Sequence, residues 1–387
     1  MTKGRSRRHK ACDAVAMSQS PFKYETLSWS AMTDGDRAAW QRVRTECPAL
    51  VSPFFSLGWQ DAVHSSRGDV EVIRITRNGE VIGFFPFTRC PFGVLCPVGA
   101  PMADWHGVVG PAGLSLSVDD ILHSTRGRAF RYSGAAANDP MLERTASGTD
   151  TSFVMDLSDG YVAYQAAARK RHPNAFRNLR SRGRKLQERN VEIRLDDRDP
   201  SNLQMLLAMK RSQYRRTRQI DIFGFSWTRK LVETLFAERE AGEPETTRGL
   251  LSTLWIDGAL AAGHFGLKDD ATLHYWFPSY AARFADLSPG LVLLNEIARA
   301  SSLLGVRRID LGGGDYRYKR EFANQHLPII SGKAQAAGWS RRAYSAVLPT
   351  VTEAANPPPG GIARITHTLT RRIDLLSSLH RWSPARP

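Results

Sequence analysis

Residues 249–279, "GLLSTLWIDGALAAGHFGLKDDATLHYWFPS", hold two alternating apolar runs around Asp257-Gly258 and a third after Asp269-Asp270. Asp-Gly between such runs is a strong hairpin signal, so the stretch reads as an antiparallel meander of strands. The next segment, "LSPGLVLLNEIARASSLLG", reads as a helix: Ser288 fits an N-cap and Pro289 the first turn, Leu291, Leu294, Ile297 and Leu304 form an apolar face, and Gly305 is the stop. "VRRIDL" restores a strand, a short helix follows at "YRYKREFAN", and a last strand lies at "LPIISGKAQ". This order specifies an α+β fold of mixed, largely antiparallel sheet flanked by helices.

A chain of 387 residues with 42% apolar content exceeds one hydrophobic core, so two domains are expected. In the first, "DRAAWQRVRTE" at 36–46 is an amphipathic helix and Ser56 an N-cap for a second helix. The strands "VEVIRIT" (70–76) and "VIGFFPFTR" (81–89) flank the Asn78-Gly79 hairpin turn. "TSFVMDL" closes this domain near residue 158. The division is therefore a disordered basic tail at 1–30, a first domain at 31–158, a second at 159–345 that includes a basic helix at 169–189, and a Pro/Gly linker with a basic helix at 346–387.

A net charge of +15 with a pI near 10.0 attracts anionic partners, whether nucleic acid, lipid headgroups or phosphorylated small molecules. Nine Lys or Arg between Arg169 and Arg189 face one acid, Glu188, and "KRSQYRRTR" at 210–218 forms a second basic cluster. Cys12, Cys47, Cys90 and Cys96 are too scattered for a disulfide framework and include no Cys-x-x-Cys pair, which favours a reducing cytoplasm. The basic N-terminus has no signal-peptide core, no run reaches the length of a membrane span, and no His/Cys/Asp/Glu cluster has metal-ligand spacing, so no metal is expected.

The segment 275–323, "YWFPSYAARFADLSPGLVLLNEIARASSLLGVRRIDLGGGDYRYKREFA", resembles the signature region of the CelD-type acyltransferases. These are FemAB-related members of the GNAT superfamily linked to exopolysaccharide synthesis. The shared pattern is an aromatic strand, a Ser-Pro-Gly helix start, Asp-Leu-Gly, Gly-Asp and Tyr-Lys. "PFFSLGWQDAV" and the Arg-rich stretch at 169–189 resemble further family segments, so the likeness runs over about 36–340. It implies two GNAT-like domains side by side and transfer of an acyl group, acetyl from acetyl-CoA or another acyl-CoA, to an amine or hydroxyl of a saccharide or nucleotide-sugar precursor. A FemAB-like aminoacyltransferase using tRNA is the alternative within enzymes. A non-catalytic protein that binds nucleic acid or an anionic membrane through its basic helix is the alternative outside them.

The glycine triplet at 312–314 is not a dinucleotide loop, because Arg317 stands where the third glycine of Gly-x-Gly-x-x-Gly belongs. The resemblance instead puts donor phosphate at the helix start formed by Ser288, Pro289, Gly290 and Leu291, where orphan N–H groups and the helix dipole favour an anion. The usual GNAT Gln/Arg-x-x-Gly-x-Gly/Ala loop is absent. Acyl transfer needs a positioned base and donors for the oxyanion. Asp315, Tyr318 and Lys319 are the candidates after the glycines, and His274, ahead of its neighbour His264, is the candidate on the meander. Asp310, Trp276, Asp104 and His106 of "ADWHG", and Arg180 of the basic helix are candidate substrate contacts. No Cys or Ser sits in a nucleophile motif, which implies direct attack.

Overall fold

The computed structural model describes residues 21–137, 139–237, 247–335 and 375–380. β1 (Lys23–Ser28) starts where a disordered tail was expected, and pairs antiparallel with β2 (Val70–Arg77). Between them, α1 (Asp34–Glu46) begins with a capping box on Thr33 and Asp36, and α2 (Leu57–Arg67) begins with the Ser56 hydroxyl accepting from Trp59 N. β3 (Glu80–Cys90) closes the Asn78-Gly79 hairpin, with both turn residues in the left-handed region.

β4 (Val94–Cys96) follows, and a disulfide joins Cys90 to Cys96 across this turn. The cysteines form no framework, but two of them do pair, because the tight 3-10 turn Pro91–Gly93 brings Cys90 and Cys96 together. The inference of a reducing compartment loses its basis with that pairing. Of the other two cysteines, Cys47 is free and buried, and Cys12 lies outside the described residues.

α3 (Val118–Ser124), β5 (Ala129–Ala136), α4 (Pro140–Glu143) and β6 (Ala146–Asp156) complete the first half. The basic stretch is two helices, not one: α5 (Tyr161–Arg171) and α6 (Pro173–Gln187) meet at His172. Pro173 cannot donate to the preceding turn and pushes His172 out of helical geometry, to φ −131 and ψ 63. β7 (Val191–Leu195), α7 (Pro200–Arg216) and α8 (Ser226–Ala237) lead to the meander β8 (Arg248–Ile256), β9 (Ala259–Asp269) and β10 (Thr272–Tyr280). Then come α9 (Pro289–Arg299), β11 (Arg308–Asp310), α10 (Arg317–Phe322) and β12 (Gln325–Gln335). α9 ends at Arg299, before the anticipated Gly305 stop, and residues 300–305 form turns.

The strands of the described residues join one 12-stranded sheet, ordered β1-β2-β3-β4-β5-β12-β6-β11-β10-β9-β8-β7. β12 crosses back to pair with β5 on one side and β6 on the other, so the last strand of the second half stitches the first half to it. Among the described residues only the β4–β5 and β10–β11 strand pairings are parallel.

The faces of the meander bury different helices. Leu250, Leu254, Ala262 and Leu273 pack with Val292, Leu293, Leu294 and Ile297 of α9, whereas Leu251, Phe265 and Leu267 pack with Leu203, Leu206 and Leu207 of α7. Alternation along a strand makes these opposite faces of the sheet. Each such side chain contributes roughly 1.5–3 kcal/mol by leaving water. Residues 375–379 are helical and dock against both halves: Arg67 of α2 donates to Ser378 O and Trp227 Nε1 of α8 to Leu379 O. The rest of the expected linker and basic helix lies outside the described residues, as do residues 1–20.

Candidate active site

β10 and β11 pair only over Thr272–His274 and Arg308–Asp310; beyond that β10 runs on to Tyr280 while β11 stops and the chain turns at Gly312. The sheet therefore opens between the two strands. Strand alternation turns Tyr275 toward the α9 face, where it stacks on His264, and Trp276 toward the α7 face, where it meets Phe54 and Trp59; the bulge between His274 and Phe277 puts Phe277 on the α7 face as well.

A cavity of about 800 Å³ occupies this gap. On the α9 face it is lined by Ser288, Gly290, Leu291 and Tyr275, with Arg182 of α6; on the α7 face by Asp104, Trp276, Lys210 and Gln213; and at one end by Tyr318 and Lys319. Three sequence candidates far apart in the chain meet here in one network. His274 Nε2 donates to Asp104 Oδ2 at 2.7 Å, and its Nδ1 lies 3.5 Å from Asp310 Oδ2, an ion-pair contact too long to count as a good hydrogen bond. Asp310 accepts from Trp105 Nε1 (2.7 Å), Ser152 Oγ (2.6 Å) and Gly312 N (2.8 Å).

The electrostatics follow from this geometry. Burial disfavours charge on the His274 ring, but hydrogen bonding to Asp104 and the nearby Asp310 outweigh it and hold the imidazolium pKa up to about 9. Burial also works against the Asp310 carboxylate, yet His274, Ser152 and the Gly312 amide keep it below its ordinary range. His274 thus stands as a cation between two carboxylates, and Asp104, whose side chain is 46% exposed, presents its free edge to the cavity.

Lys319 is buried and donates to the carbonyls of Gly312 and Gly313. Burial lowers its pKa, against the pull of Asp104, Asp310 and Asp150. Gly312, at φ +73, permits this packing, since a Cβ there would stand 3.3 Å from Asp104 Oδ2 and 3.5 Å from His274 Cε1.

Ser288 occupies the N-cap position of α9 but does not cap it. The residue is left-handed (φ 46, ψ 53), and its hydroxyl points back to Ala285 O at 3.4 Å. The helix start is thereby left without a side-chain cap, while Pro289 is buried at its first turn.

Four candidates lie elsewhere. Asp315 is exposed and paired with Arg320 at 2.7 Å, because the turn after Gly314 swings it to solvent. His106 is buried against Phe130, Tyr132 and the Ser133 backbone, where burial drives its pKa down to about 4. Arg180 faces a separate groove on the far side of α6, because it lies two residues, roughly 200° around the helix, from the cavity-lining Arg182. His264 is fully buried behind Tyr275, and burial followed by the charge of His274 lowers its pKa.

The sequence reading missed Lys210 and Gln213, which it saw only as part of a basic cluster. The spacing from Leu203, Leu206 and Leu207 could have revealed them, since 210, 213 and 214 continue the same helix stripe. Among the described residues no group of three or more His, Cys, Asp or Glu could hold a metal, and no helix is long and apolar enough to cross a membrane.

Residues 153–320 match the family model described as the acetyltransferase (GNAT) domain. The protein is a GNAT-fold acyltransferase. Among solved structures it resembles FemX, at 11% identity and TM-score 0.56, covering 85% of this chain and 100% of that one. It also resembles, at TM-score 0.46 and 10% identity, a tandem GNAT protein from the clavulanic acid biosynthesis pathway, covering 81% of this chain and 98% of that one. No curated protein matches the sequence.

Proposed function

We propose that the protein transfers an acyl group, acetyl from acetyl-CoA or another acyl-CoA, directly to an amine or hydroxyl of a cell-envelope saccharide or its nucleotide-linked precursor. The observation that carries this is the cavity through the opening between β10 and β11, with an uncapped helix start on one face and the Asp104 carboxylate on the other. The helix start of α9 suits the donor's pyrophosphate, because its amide dipoles favour an anion. The saccharide acceptor rests on the resemblance to CelD-type proteins.

In this reading the acceptor enters from the α7 face and attacks the thioester carbonyl in the gap. Asp104 takes the proton that the nucleophile sheds, and His274, charged between its two carboxylates, holds Asp104 in place rather than acting as the base. Lys319, fixed by two carbonyls, presents its remaining N–H toward the charge that develops on the acyl oxygen, and Tyr318 lines the same end. The C–S bond breaks as the tetrahedral intermediate collapses, and the leaving thiolate takes up the proton that Asp104 accepted, which returns Asp104 to the carboxylate.

The test is release of free thiol from acetyl-CoA in the presence of amino-sugar acceptors. Acceptor-dependent release supports the reading. Absence of thiol release, with uptake of an aminoacyl group from tRNA instead, overturns the choice of donor.

A further inference from the structure

Lys210 has no part in the mechanism above, yet its position is unusual for a lysine. It sits on α7, at the end of the buried stripe Leu203, Leu206 and Leu207, and lines the cavity from the acceptor face. Its Nζ donates to Pro278 O at 2.9 Å and lies 5.4 Å from the centre of the Tyr214 ring. Among the described residues no carboxylate pairs with it, and burial alone lowers its pKa to about 8.

An ammonium carries three donors, and only one is used here. A cation removed from water without an anion is costly and persists where a ligand completes it. Beside it, Ser279 Oγ contacts Gln213 Oε1 at 3.3 Å, which orients the Gln213 side chain with its amide NH₂ as a second donor at the cavity wall. The carboxylate on this face, Asp104, is already neutralised by His274. The donor's phosphates belong to the α9 helix start on the opposite face of the sheet.

We infer that Lys210, with Gln213, forms a subsite for an acidic group, a carboxylate or a phosphate, carried by the acceptor. The inference rests on the acyltransferase reading for the word acceptor. The subsite itself is a matter of binding and is measurable without turnover. A lysine reads either acid as a point charge, so the two sources are separated by the probes.

The experiment is calorimetric binding of glucosamine, glucosamine 6-phosphate and muramic acid to the full chain, as wild type, K210M and K210R, with acetyl-CoA binding measured in parallel. The wild type is expected to bind at least one of the two acidic sugars about 10- to 100-fold more tightly than glucosamine, the range of one charge-assisted hydrogen bond. K210M erases that preference, K210R keeps most of it, and all three bind acetyl-CoA alike. A tighter phosphate identifies a phosphorylated acceptor, and a tighter carboxylate an acidic sugar.

Equal binding of all three sugars by the wild type, or a preference that survives K210M, overturns the subsite. Failure to bind acetyl-CoA or to release thiol overturns the acyltransferase reading instead, and leaves the preference for an acid to be read by itself. Should K210M not fold, K210Q, which keeps a polar head without charge, carries the same comparison.

Discussion

His274 and Asp104, 170 residues apart in the chain, share a 2.7 Å hydrogen bond that joins the two halves of the molecule at the cavity. Trp276 Nε1 donates to Met102 O at 2.9 Å beside it, and Trp105 reaches Asp310, so the loop around residues 102–105 is tied to β10 and β11 at three points. If Asp104 is the proton acceptor and His274 its holder, the two substitutions differ in kind. Asp104→Asn removes the base and is expected to lower kcat by about 10²- to 10⁴-fold with little change in acetyl-CoA binding. His274→Asn leaves the carboxylate but frees it to move, and should lower kcat less. Steady-state thiol release decides; an Asp104→Asn enzyme with wild-type kcat removes Asp104 from the chemistry.

The same pair gives stability a pH dependence of known sign. The His274 pKa rises from an ordinary 6.5 to about 9 in the folded chain, so folding favours its protonated form. Its contribution is full below about pH 6.5, shrinks between 6.5 and 9, and is gone above, a total on the order of 3 kcal/mol. Asp310, held below its ordinary range, works in the other direction: its share is present above its unfolded value near 3.8 and is lost as pH falls through the depressed one. Thermal unfolding from pH 4 to 10 should therefore show a wild-type Tm that drops from 6.5 to 9.5 more steeply than that of His274→Asn. Parallel curves would rule the linkage out.

Lys319 is the other buried cation at the site, and its role separates from packing by choice of replacement. Lys319→Met retains the stem that packs inside α10 and loses the donor. The expected outcome is about a 10²-fold loss of kcat, the usual scale for one oxyanion donor. Circular dichroism should give a Tm near the wild-type value, because the charge being removed is partly desolvated. A Met variant that unfolds early and is otherwise fully active would make Lys319 a structural residue.

Local patterns in the sequence carried the secondary structure well. Asn78-Gly79 and Asp257-Gly258 adopt the left-handed pairs that their hairpins need, and the Ser56 and Pro289 signals fall on real helix starts. What local pattern could not carry is pairing across the chain. β12 slots between β5 and β6 through contacts more than a hundred residues apart, and the Asp104–His274–Asp310 network depends on that closure. Asp104, His274 and Asp310 each drew attention alone, but nothing in their spacing joins them. Asp315 drew attention for the opposite reason: it is near Lys319 in sequence but stands exposed just before α10, paired with Arg320, whereas Lys319 is on the buried side of that helix.

The position of Asp104 depends on a glycine in the sheet. Gly134 is the extra residue of a bulge in β5, where pairing with β12 shifts between Ile330 and Ser331, and it has φ +88. A Cβ there would stand 2.2 Å from Asp104 O, a backbone atom that cannot step aside without moving the loop. Gly79 supplies the control: it also has positive φ (+87), but nothing lies within 4 Å of its virtual Cβ. Gly79→Ala should therefore cost only the strain of a left-handed alanine, about 1 kcal/mol, with activity unchanged. Gly134→Ala carries the same strain and must also displace Asp104 from His274, so both a larger fall in Tm and a loss of kcat of at least about 10-fold are expected, the scale that small misplacements produce. Melting curves and thiol release on the two variants side by side test the claim, and equal behaviour of the pair would show that the bulge does not position Asp104.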